Sequence, residues 1–456
     1  MPSHFYEFRV LGLWLARAST VVFGPSEVAY RLPSLLASLT IVASVAWFVN
    51  WPRIIDWKSQ TAMLIACTLP LDAGLRSGIG VPCIAAGLLA AGTVCILKGG
   101  SGVRYAGAAL LGLSFMTHEM SFFYIMIFCF TALAFEWRRF WKPVLVTVLI
   151  SGGLFAIECV VYAILLNDPL ARYHAAAEGI RIESNELFSV PGGSLLFYVW
   201  PIRILVFCKQ WSFDLLLLVI TGAFAWRRLN MDQKILLVTM FVLWFWLGYG
   251  TVLPWKYQPI HRGVHYYIPL TLGIASLLPY TLHLALAGRQ RIAEGILVVL
   301  ICFHVALLAA SGTWGQNVDV SRELVRYANR NSTMRFLTDL RTLDEMQLAN
   351  RFQRPQNVVA VEELNLEPSL DGQDPANGPA LDRVTAQIDA ILINHERTHG
   401  PDARLQSLVE KFGGDRIRIS PVRYRLLFIP IVPLIGPRDF MIRSRGGEVI
   451  LVRGHE

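Results

Sequence analysis

Repeated apolar runs, each about as long as a membrane span, limit what this chain can fold into more than any other feature. Asp, Glu, Lys and Arg are rare within these runs, and the whole chain has 16% charged residues, against about 25% in soluble domains. A helix needs about 20 apolar residues to cross the hydrocarbon core of a bilayer. We therefore expect an α-helical polytopic membrane protein with about ten spans, at residues 32–50, 60–75, 79–97, 103–117, 120–135, 143–166, 213–226, 235–253, 266–287 and 293–312.

The basic residues between the runs predict which loops share a side of the membrane. By the positive-inside rule, loops rich in Lys and Arg face the cytoplasm. Every second loop carries two or three such residues: Arg53 and Lys58; Lys98 and Arg104; Arg138, Arg139 and Lys142; Arg227, Arg228 and Lys234; Arg289 and Arg291. The loops at 118–119, 167–212 and 254–265 and the C-terminal tail are then on the outer face. All the unusual polar clusters are therefore expected on one side.

The same pattern divides the chain into three parts. Residues 1–29 are expected to form an interfacial helix on the outer face, because apolar residues recur there at helical spacing, and Ser26 is a suitable N-cap for the next helix. Residues 30–312 form the multi-span domain. From 313 to 456, mixed charge predicts a small extracytoplasmic α/β domain, with helices at 332–350 and 402–412 and strands at 357–361, 388–394, 416–420 and 448–453.

One outer loop, residues 253–269, combines cations with aromatic rings. Lys256, His261 and Arg262 lie there among aromatic residues that include Tyr266. Cations bind phosphate, and aromatic rings stack on sugars or lie at headgroup depth. The loop therefore predicts either contact with an anionic, lipid-linked substrate or an ordinary interfacial belt that anchors two helices, and the loop alone favours neither.

Further ionisable residues are expected at or near the outer ends of spans. His118 and Glu119 form a polar pair among apolar neighbours, which predicts a functional site or a structural ion pair. Glu158 lies inside the span at 143–166 and is expected to be a helix-packing hydrogen-bond partner. Asp168 and Arg172 begin the longest outer loop, and they predict either phosphate contact or a solvated loop.

Charge and cysteine usage exclude several classes of site. The net charge of +8 comes from residues before 313, where lipid contact and topology account for it, so nucleic acid is not an expected partner. The seven cysteines lie in or beside apolar runs without a C-x-x-C pair, and no His/Cys cluster has the spacing of metal ligands. We therefore predict no disulfide framework and name no metal ligand.

Residues 23–34, Phe-Gly-Pro-Ser-Glu-Val-Ala-Tyr-Arg-Leu-Pro-Ser, resemble the F-G-x-x-E-x-A-x-R-L-P-S signature that leads into a membrane span in GT-C glycosyltransferases. These enzymes depend on polyprenyl-phosphate sugars and are related to protein O-mannosyltransferases and to the lipid A aminoarabinose transferase. Residues 69–72, 117–119, 168–172 and 262–270 are similar in place and order. The resemblance covers most of residues 5–312.

The resemblance implies transfer of a sugar from a polyprenyl-phosphate donor to an acceptor hydroxyl of a lipid, glycan or protein, at the outer face of the bacterial inner membrane. Arg172, Lys256 and Arg262 match the phosphate-binding role, while Glu27 and Arg31 match the signature. The other expected substrate contacts are Asp168, His261 and Tyr266. In the family a carboxylate serves as base or binds a divalent metal, so the sequence leaves the cofactor open.

The family begins with a span and an outer loop that carries an acidic catalytic residue, and this chain departs from that pattern. The candidate catalytic residues that its sequence offers are His118, Glu119 and Glu7. The outer N-terminus predicted by the loop charges fits a missing first span. Two alternatives therefore accompany the glycosyltransferase hypothesis: a non-catalytic relative that binds lipid-linked sugars, and a polytopic transporter or flippase.

Overall fold

A computed structural model describes residues 10–50, 56–69, 81–118, 120–174, 213–247, 268–311, 316–363, 388–395, 403–419 and 446–452. The chain forms two compact units. The first contains residues 1–19 and 31–309, and the second contains residues 20–30 and 310–456. In the described ranges, the first unit is helical and the second is built around a five-stranded sheet.

Helices form the first unit, and each of the ten predicted runs overlaps one of them. In chain order the helices up to residue 311 are α1 Val10–Phe23, α2 Glu27–Asn50, α3 Trp57–Thr68, α4 Val81–Lys98, α5 Ser101–Phe115, α6 Met120–Leu166, α7 Asp214–Ala225, α8 Met231–Phe245, α9 Leu270–Ala285 and α10 Gln290–Ser311. The predicted helical class is therefore confirmed over the described residues.

Two described stretches are long and apolar enough to cross a membrane. They are Val28–Val49 in α2 and Ser121–Leu166 in α6. Shorter apolar helices include Pro82–Lys98 and Leu270–Ala285. These lengths and compositions support a membrane protein, whereas the predicted count of about ten spans is not confirmed.

A sharp break divides α6 into two arms. Glu136 has φ −143° and ψ 67°, far from helical values. A straight helix over this 46-residue stretch would be about 69 Å long, more than twice the ~30 Å hydrocarbon core. The ends of α6 instead come together, because Arg172 Nη2, just after α6, donates to the carbonyl of Phe115, just before it, at 3.3 Å. α6 is therefore a helical hairpin.

Glycines allow α4 to pack closely against its neighbours. A Cβ on Gly107 of α5 would lie 2.7 Å from the carbonyl oxygen of Gly92 in α4. A Cβ on Gly87 would lie 2.9 Å from the carbonyl oxygen of Ala37 in α2. Small residues at such contacts are typical of helix interfaces in membranes, where close packing drives association.

The turn between α1 and α2 forms as the sequence predicts. Gly24 has a φ of +80°, a backbone angle that residues other than glycine rarely adopt. The Ser26 hydroxyl accepts the Ala29 N–H at 3.2 Å, and the Ser26 carbonyl accepts the Tyr30 N–H at 3.0 Å. Ser26 therefore caps α2, and the predicted N-cap is confirmed.

The second unit has an α/β fold with a mixed sheet. Its strand order is β2-β1-β3-β5-β4, in which β1 is parallel to β2 and β3, and β5 is antiparallel to β3 and β4. The elements are α11 Gln316–Arg330, β1 Phe336–Thr338, α12 Leu340–Ala349, β2 Val358–Ala360, β3 Ala390–Asn394, α13 Ala403–Phe412, β4 Gly413–Ile419 and β5 Gly447–Val452. The four predicted strands and the helix at 402–412 each coincide with one of them.

The predicted helix at 332–350 is wrong in its first half. Strand β1 lies there, fully buried between β2 and β3. Asp339 then caps α12, since its carboxylate accepts both the N–H and the hydroxyl of Thr342 at 2.8 Å. A three-residue buried strand followed at once by an N-cap leaves too few residues for the alternation that identifies strands.

Gly107→Ala should destabilise the protein, because the added methyl group would meet the Gly92 carbonyl and the Cys95 Cβ, both at 2.7 Å. Overpacking of this kind costs about 1–3 kcal/mol. Thermal unfolding in detergent micelles measures the effect.

The matched control is Gly152→Ala in α6, where nothing lies within 4 Å of the new Cβ. Alanine favours helix over glycine by about 1 kcal/mol, so this variant should be as stable as the wild type or more stable. Equal melting temperatures for the two variants would contradict the close α4–α5 contact.

Candidate functional site

A charged network joins three of the loops that the charge pattern assigns to the cytoplasm. Asp232 binds Arg139 Nη1 at 2.8 Å and Lys98 Nζ at 3.4 Å. Arg139 also binds Glu136 at 2.9 Å and donates to the Leu97 carbonyl. The ends of α4 and α8 and the break in α6 therefore meet at one end of the helices, which is called the basic end below.

Further contacts extend this basic end. Lys58, at the start of α3, lies 5.8 Å from the ring centroid of Tyr280 in α9. Arg228, which follows α7, donates to the Leu284 carbonyl of α9 at 3.3 Å. The opposite ends of α3, α5 and α7 and both ends of the α6 hairpin carry a second set of polar residues.

A buried ion pair at that opposite end holds Arg172. Its Nη1 contacts the two carboxylate oxygens of Glu158 at 3.0 and 3.3 Å, and the two side chains are only 3% and 4% exposed. The Phe115 ring lies beneath the guanidinium, 5.9 Å away, and the Tyr162 hydroxyl bonds to the same carboxylate. Arg172 is therefore part of the helix packing and not of a solvated loop. Glu158, which the sequence predicts as a hydrogen-bond partner, is its counter-ion.

His118 lies three residues after Phe115, in the turn between α5 and α6. Its side chain is fully buried. The turn is held by Ser114, whose carbonyl accepts hydrogen bonds from the His118 N–H and from the hydroxyls of Thr117 and Ser121. Phe115, three residues before His118, accepts the Arg172 bond. The structure thus brings two sequence-predicted site residues, His118 and Arg172, to the same end of α5.

Asp168 and His174 form an exposed counterpart to these buried groups. His174 Nδ1 lies 2.9 Å from Asp168 Oδ2, and the side chains are 66% and 37% exposed. The hydrogen bond from His174 lowers the pKa of Asp168 below its usual value, and a second bond from the Leu170 N–H acts in the same direction. Asp168 therefore remains ionised and available at the end of the α6 hairpin.

Sequence reasoning missed a second buried pair at the same end of the helices. His304 Nε2 of α10 lies 2.7 Å from Asp214 Oδ2 at the start of α7, and both side chains are 0% exposed. His304 Nδ1 lies 3.2 Å from the Thr68 hydroxyl at the end of α3. The sequence offers one Asp at the start of an apolar run and one His within another run. Nothing in the sequence connects these two positions.

Several predicted residues lie outside the described part of the chain. They are Glu7, Glu119, Lys256, His261, Arg262 and Tyr266. Glu27 is the first residue of α2, and its side chain is likewise outside the description; Arg31 lies one turn further along the same helix. Their expected roles stay predictions. No group of three or more His, Cys, Asp or Glu that could hold a metal occurs among the residues that the structure describes.

No protein family, curated protein or solved structure matches this chain. The likeness to GT-C glycosyltransferases therefore rests on the motifs in the sequence. The geometry around His118, Glu158 and Arg172 stands independently of that likeness.

Arg172→Met should destabilise the protein strongly, because the Glu158 carboxylate would stay buried without its counter-ion. Removing one member of a buried pair costs about 3–5 kcal/mol. Equilibrium unfolding in mixed micelles measures the loss.

The control is the double variant Glu158→Gln/Arg172→Met, which removes both charges and should recover a large part of the lost stability. A double variant that is no more stable than Arg172→Met would show that the pair of charges does not govern the packing.

Proposed function

We propose that the protein is a membrane glycosyltransferase, which transfers a sugar from a polyprenyl-phosphate donor to an acceptor hydroxyl at the outer ends of its helices. The observation that carries the proposal is an apolar groove that begins one helical turn after the His118 turn. The groove encloses about 330 Å³ and is lined by Phe122, Phe123, Met126, Ile127, Phe130, Thr131, Val242 and Trp246.

The groove suits an isoprenoid chain. Its walls are the first arm of α6 and the end of α8, and its surface is apolar. From Phe122 to Thr131 it follows the helix for about 14 Å, since each residue rises 1.5 Å. Burial of a chain there is worth about 0.8 kcal/mol for each CH₂ group. A lipid tail in this groove would carry its phosphate towards His118.

The charges at that end suit the phosphate. Arg172 Nη2 donates to the neutral carbonyl of Phe115, and a phosphate oxygen would be a stronger acceptor at that position, because the bond would then join two charged groups. Lys256 and Arg262 are the further cations that the resemblance assigns to the phosphate. In the proposal Glu158 keeps Arg172 oriented while the donor binds.

The transfer needs a proton acceptor as well as a phosphate site. The acceptor hydroxyl oxygen forms a bond to the anomeric carbon of the sugar, and the bond from that carbon to the phosphate oxygen breaks, so the phosphate leaves with the electron pair. The hydroxyl proton passes to a base. His118, Glu119 and Glu7 are the candidates, and His118 follows Phe115, the residue that Arg172 contacts, by three positions.

The proposal includes about ten spans in a bacterial inner membrane, with residues 313–456 outside the cytoplasm. The clustering of Lys98, Arg139 and Asp232 at one end, away from His118 and Arg172, supports this orientation. The positive-inside rule places the basic end in the cytoplasm.

This orientation predicts the accessibility of introduced cysteines. In a cysteine-free background, Lys256→Cys should react with a membrane-impermeant thiol reagent added to intact cells, while Arg138→Cys should react only after the membrane is opened. Labelling of Arg138→Cys alone in intact cells would place the two loops on the opposite sides and end the proposal.

The groove makes a sharper prediction about transfer. Met126→Trp should fill the groove and raise KM for a long-chain polyprenyl-phosphate sugar at least tenfold (about 1.4 kcal/mol of binding). The KM for a short-chain, water-soluble donor should change little, because its tail does not reach Met126. Transfer of labelled sugar by the purified protein in lipid vesicles measures both.

The matched control is Val148→Trp, which adds the same ring at an exposed site on the other arm of α6. It should leave both KM values unchanged. Donor binding without any transfer by the wild type would instead favour the non-catalytic relative. Accumulation of substrate inside vesicles without a covalent product would favour the transporter.

A further inference from the structure

The pair formed by Asp214 and His304 is distinct from the proposed transfer site, and it is the most deeply buried ionisable pair among the described residues. Three helices supply it and its hydroxyl neighbour: α7 gives Asp214, α10 gives His304 and α3 gives Thr68. Phe213 and Phe303, the chain neighbours of the pair, stack at 6.3 Å between ring centroids.

The hydrogen bonds determine how many protons the pair holds. The Thr68 hydroxyl has one hydrogen, which it donates to the Leu64 carbonyl at 2.7 Å. Its oxygen is therefore the acceptor for His304 Nδ1, so that nitrogen carries a hydrogen. Nε2 and Asp214 Oδ2, 2.7 Å apart, then need one further proton between them, on either atom.

Charge accounts for the retention of this proton. With it, Asp214 and His304 together have no net charge. Without it, a carboxylate would face a nitrogen lone pair at 2.7 Å and leave a net negative charge where both side chains are 0% exposed. An uncompensated charge in apolar surroundings is strongly unfavourable. A second proton would leave a net positive charge at the same cost.

Asp214 has room for one more hydrogen bond. Its Oδ1 atom is buried and has no hydrogen-bond partner among the described residues. Thr68, at the other end of the chain of three residues, is partly exposed at the end of α3. The three side chains therefore connect a buried carboxyl group with the surface of the helix bundle.

We propose that Asp214 and His304 form a buried proton-binding site, whose ligand is a single shared proton and whose outlet is the Thr68 hydroxyl. Asp and His side chains within membrane proteins commonly bind and relay protons. The site holds α3, α7 and α10 together while the proton is bound. This inference is independent of sugar transfer.

Few other titratable groups share these helices. Cys67 and Cys302 lie near the same end of α3 and α10. The others on α3, α7, α9 and α10 are nearer the basic end: Lys58, Tyr280, His283, Arg291 and Glu294. At that end the Trp57 ring, next to Lys58, meets the His283 ring edge to face at 5.9 Å between centroids. The hydrogen bonds described for the pair join Asp214 to His304 and His304 to Thr68.

The proposal predicts how the stability of the folded protein depends on pH. In the unfolded chain Asp and His lose their protons near pH 3.9 and 6.5. Above about pH 7 the folded pair therefore holds one more proton than the unfolded chain, so stability falls as the pH rises. Below about pH 4 the unfolded chain holds one more, so stability rises with pH. Each regime changes the unfolding equilibrium constant tenfold per pH unit.

The experiment compares unfolding from pH 7 to 9 in the wild type and in Asp214→Asn/His304→Gln, both in mixed micelles. In the wild type the unfolding equilibrium constant should rise an extra tenfold per pH unit. This extra rise should disappear in the double variant, whose amides bind no proton. The matched control is Asp168→Asn/His174→Gln, which makes the same changes in the exposed pair. Water screens that pair, so the dependence of the unfolding equilibrium constant on pH in this variant should stay close to that of the wild type.

A second measurement uses the wild type alone, in case the buried-pair variant does not fold. Infrared spectra at about pH 8 should retain a protonated carboxyl or an imidazolium band after ordinary carboxyl and imidazole groups have lost their protons. If the unfolding equilibrium constant depended on pH equally in the wild type and the buried-pair variant, the proposal would be overturned. So would the absence of both bands from the wild-type spectrum at that pH.

Discussion

A charge that is buried among apolar helices must be neutralised by a partner close by, and this requirement organises the first unit. Glu158 neutralises Arg172, Asp214 lies 2.7 Å from His304, and Asp232 binds two cations at the basic end. Each pair joins residues that are distant along the chain or on different helices. The pairs therefore fix which helix ends meet, while apolar packing, which is less directional, fills the space between them.

Much of this helical architecture could be predicted because apolar length and capping are local properties. The runs before and after Glu136, the Ser26 cap and the strands near 358, 390 and 447 all follow from short windows of sequence. Strand β1 did not, since three residues are too few to show a period and its burial comes from neighbours on both sides. The number of spans depends on how helices pair in a membrane, which local composition does not determine.

The candidate site was predictable only in part, for a related reason. His118 and Arg172 stand out because ionisable residues are rare in apolar surroundings, and the structure places both near Phe115. Their mutual position depends on the fold-back of α6, which no single motif encodes. Asp214 and His304 are 90 residues apart, and nothing in either apolar run indicates the other. The groove beside α6 is likewise a product of two helices, and its aromatic residues resemble ordinary lipid-facing positions in the sequence.

The break at Glu136 has a consequence for how the chain is made. In the proposed orientation, a hairpin with Glu136 and Arg139 at its tip can enter the bilayer as one unit, with its arms side by side and its tip kept on the ribosome's side throughout synthesis. The ionised groups at the tip, Glu136 and Arg139, then do not have to travel through hydrocarbon during insertion. The two arms are neighbours in the chain, so they can pack together before α7 to α10 have been made, and those later helices then assemble against them.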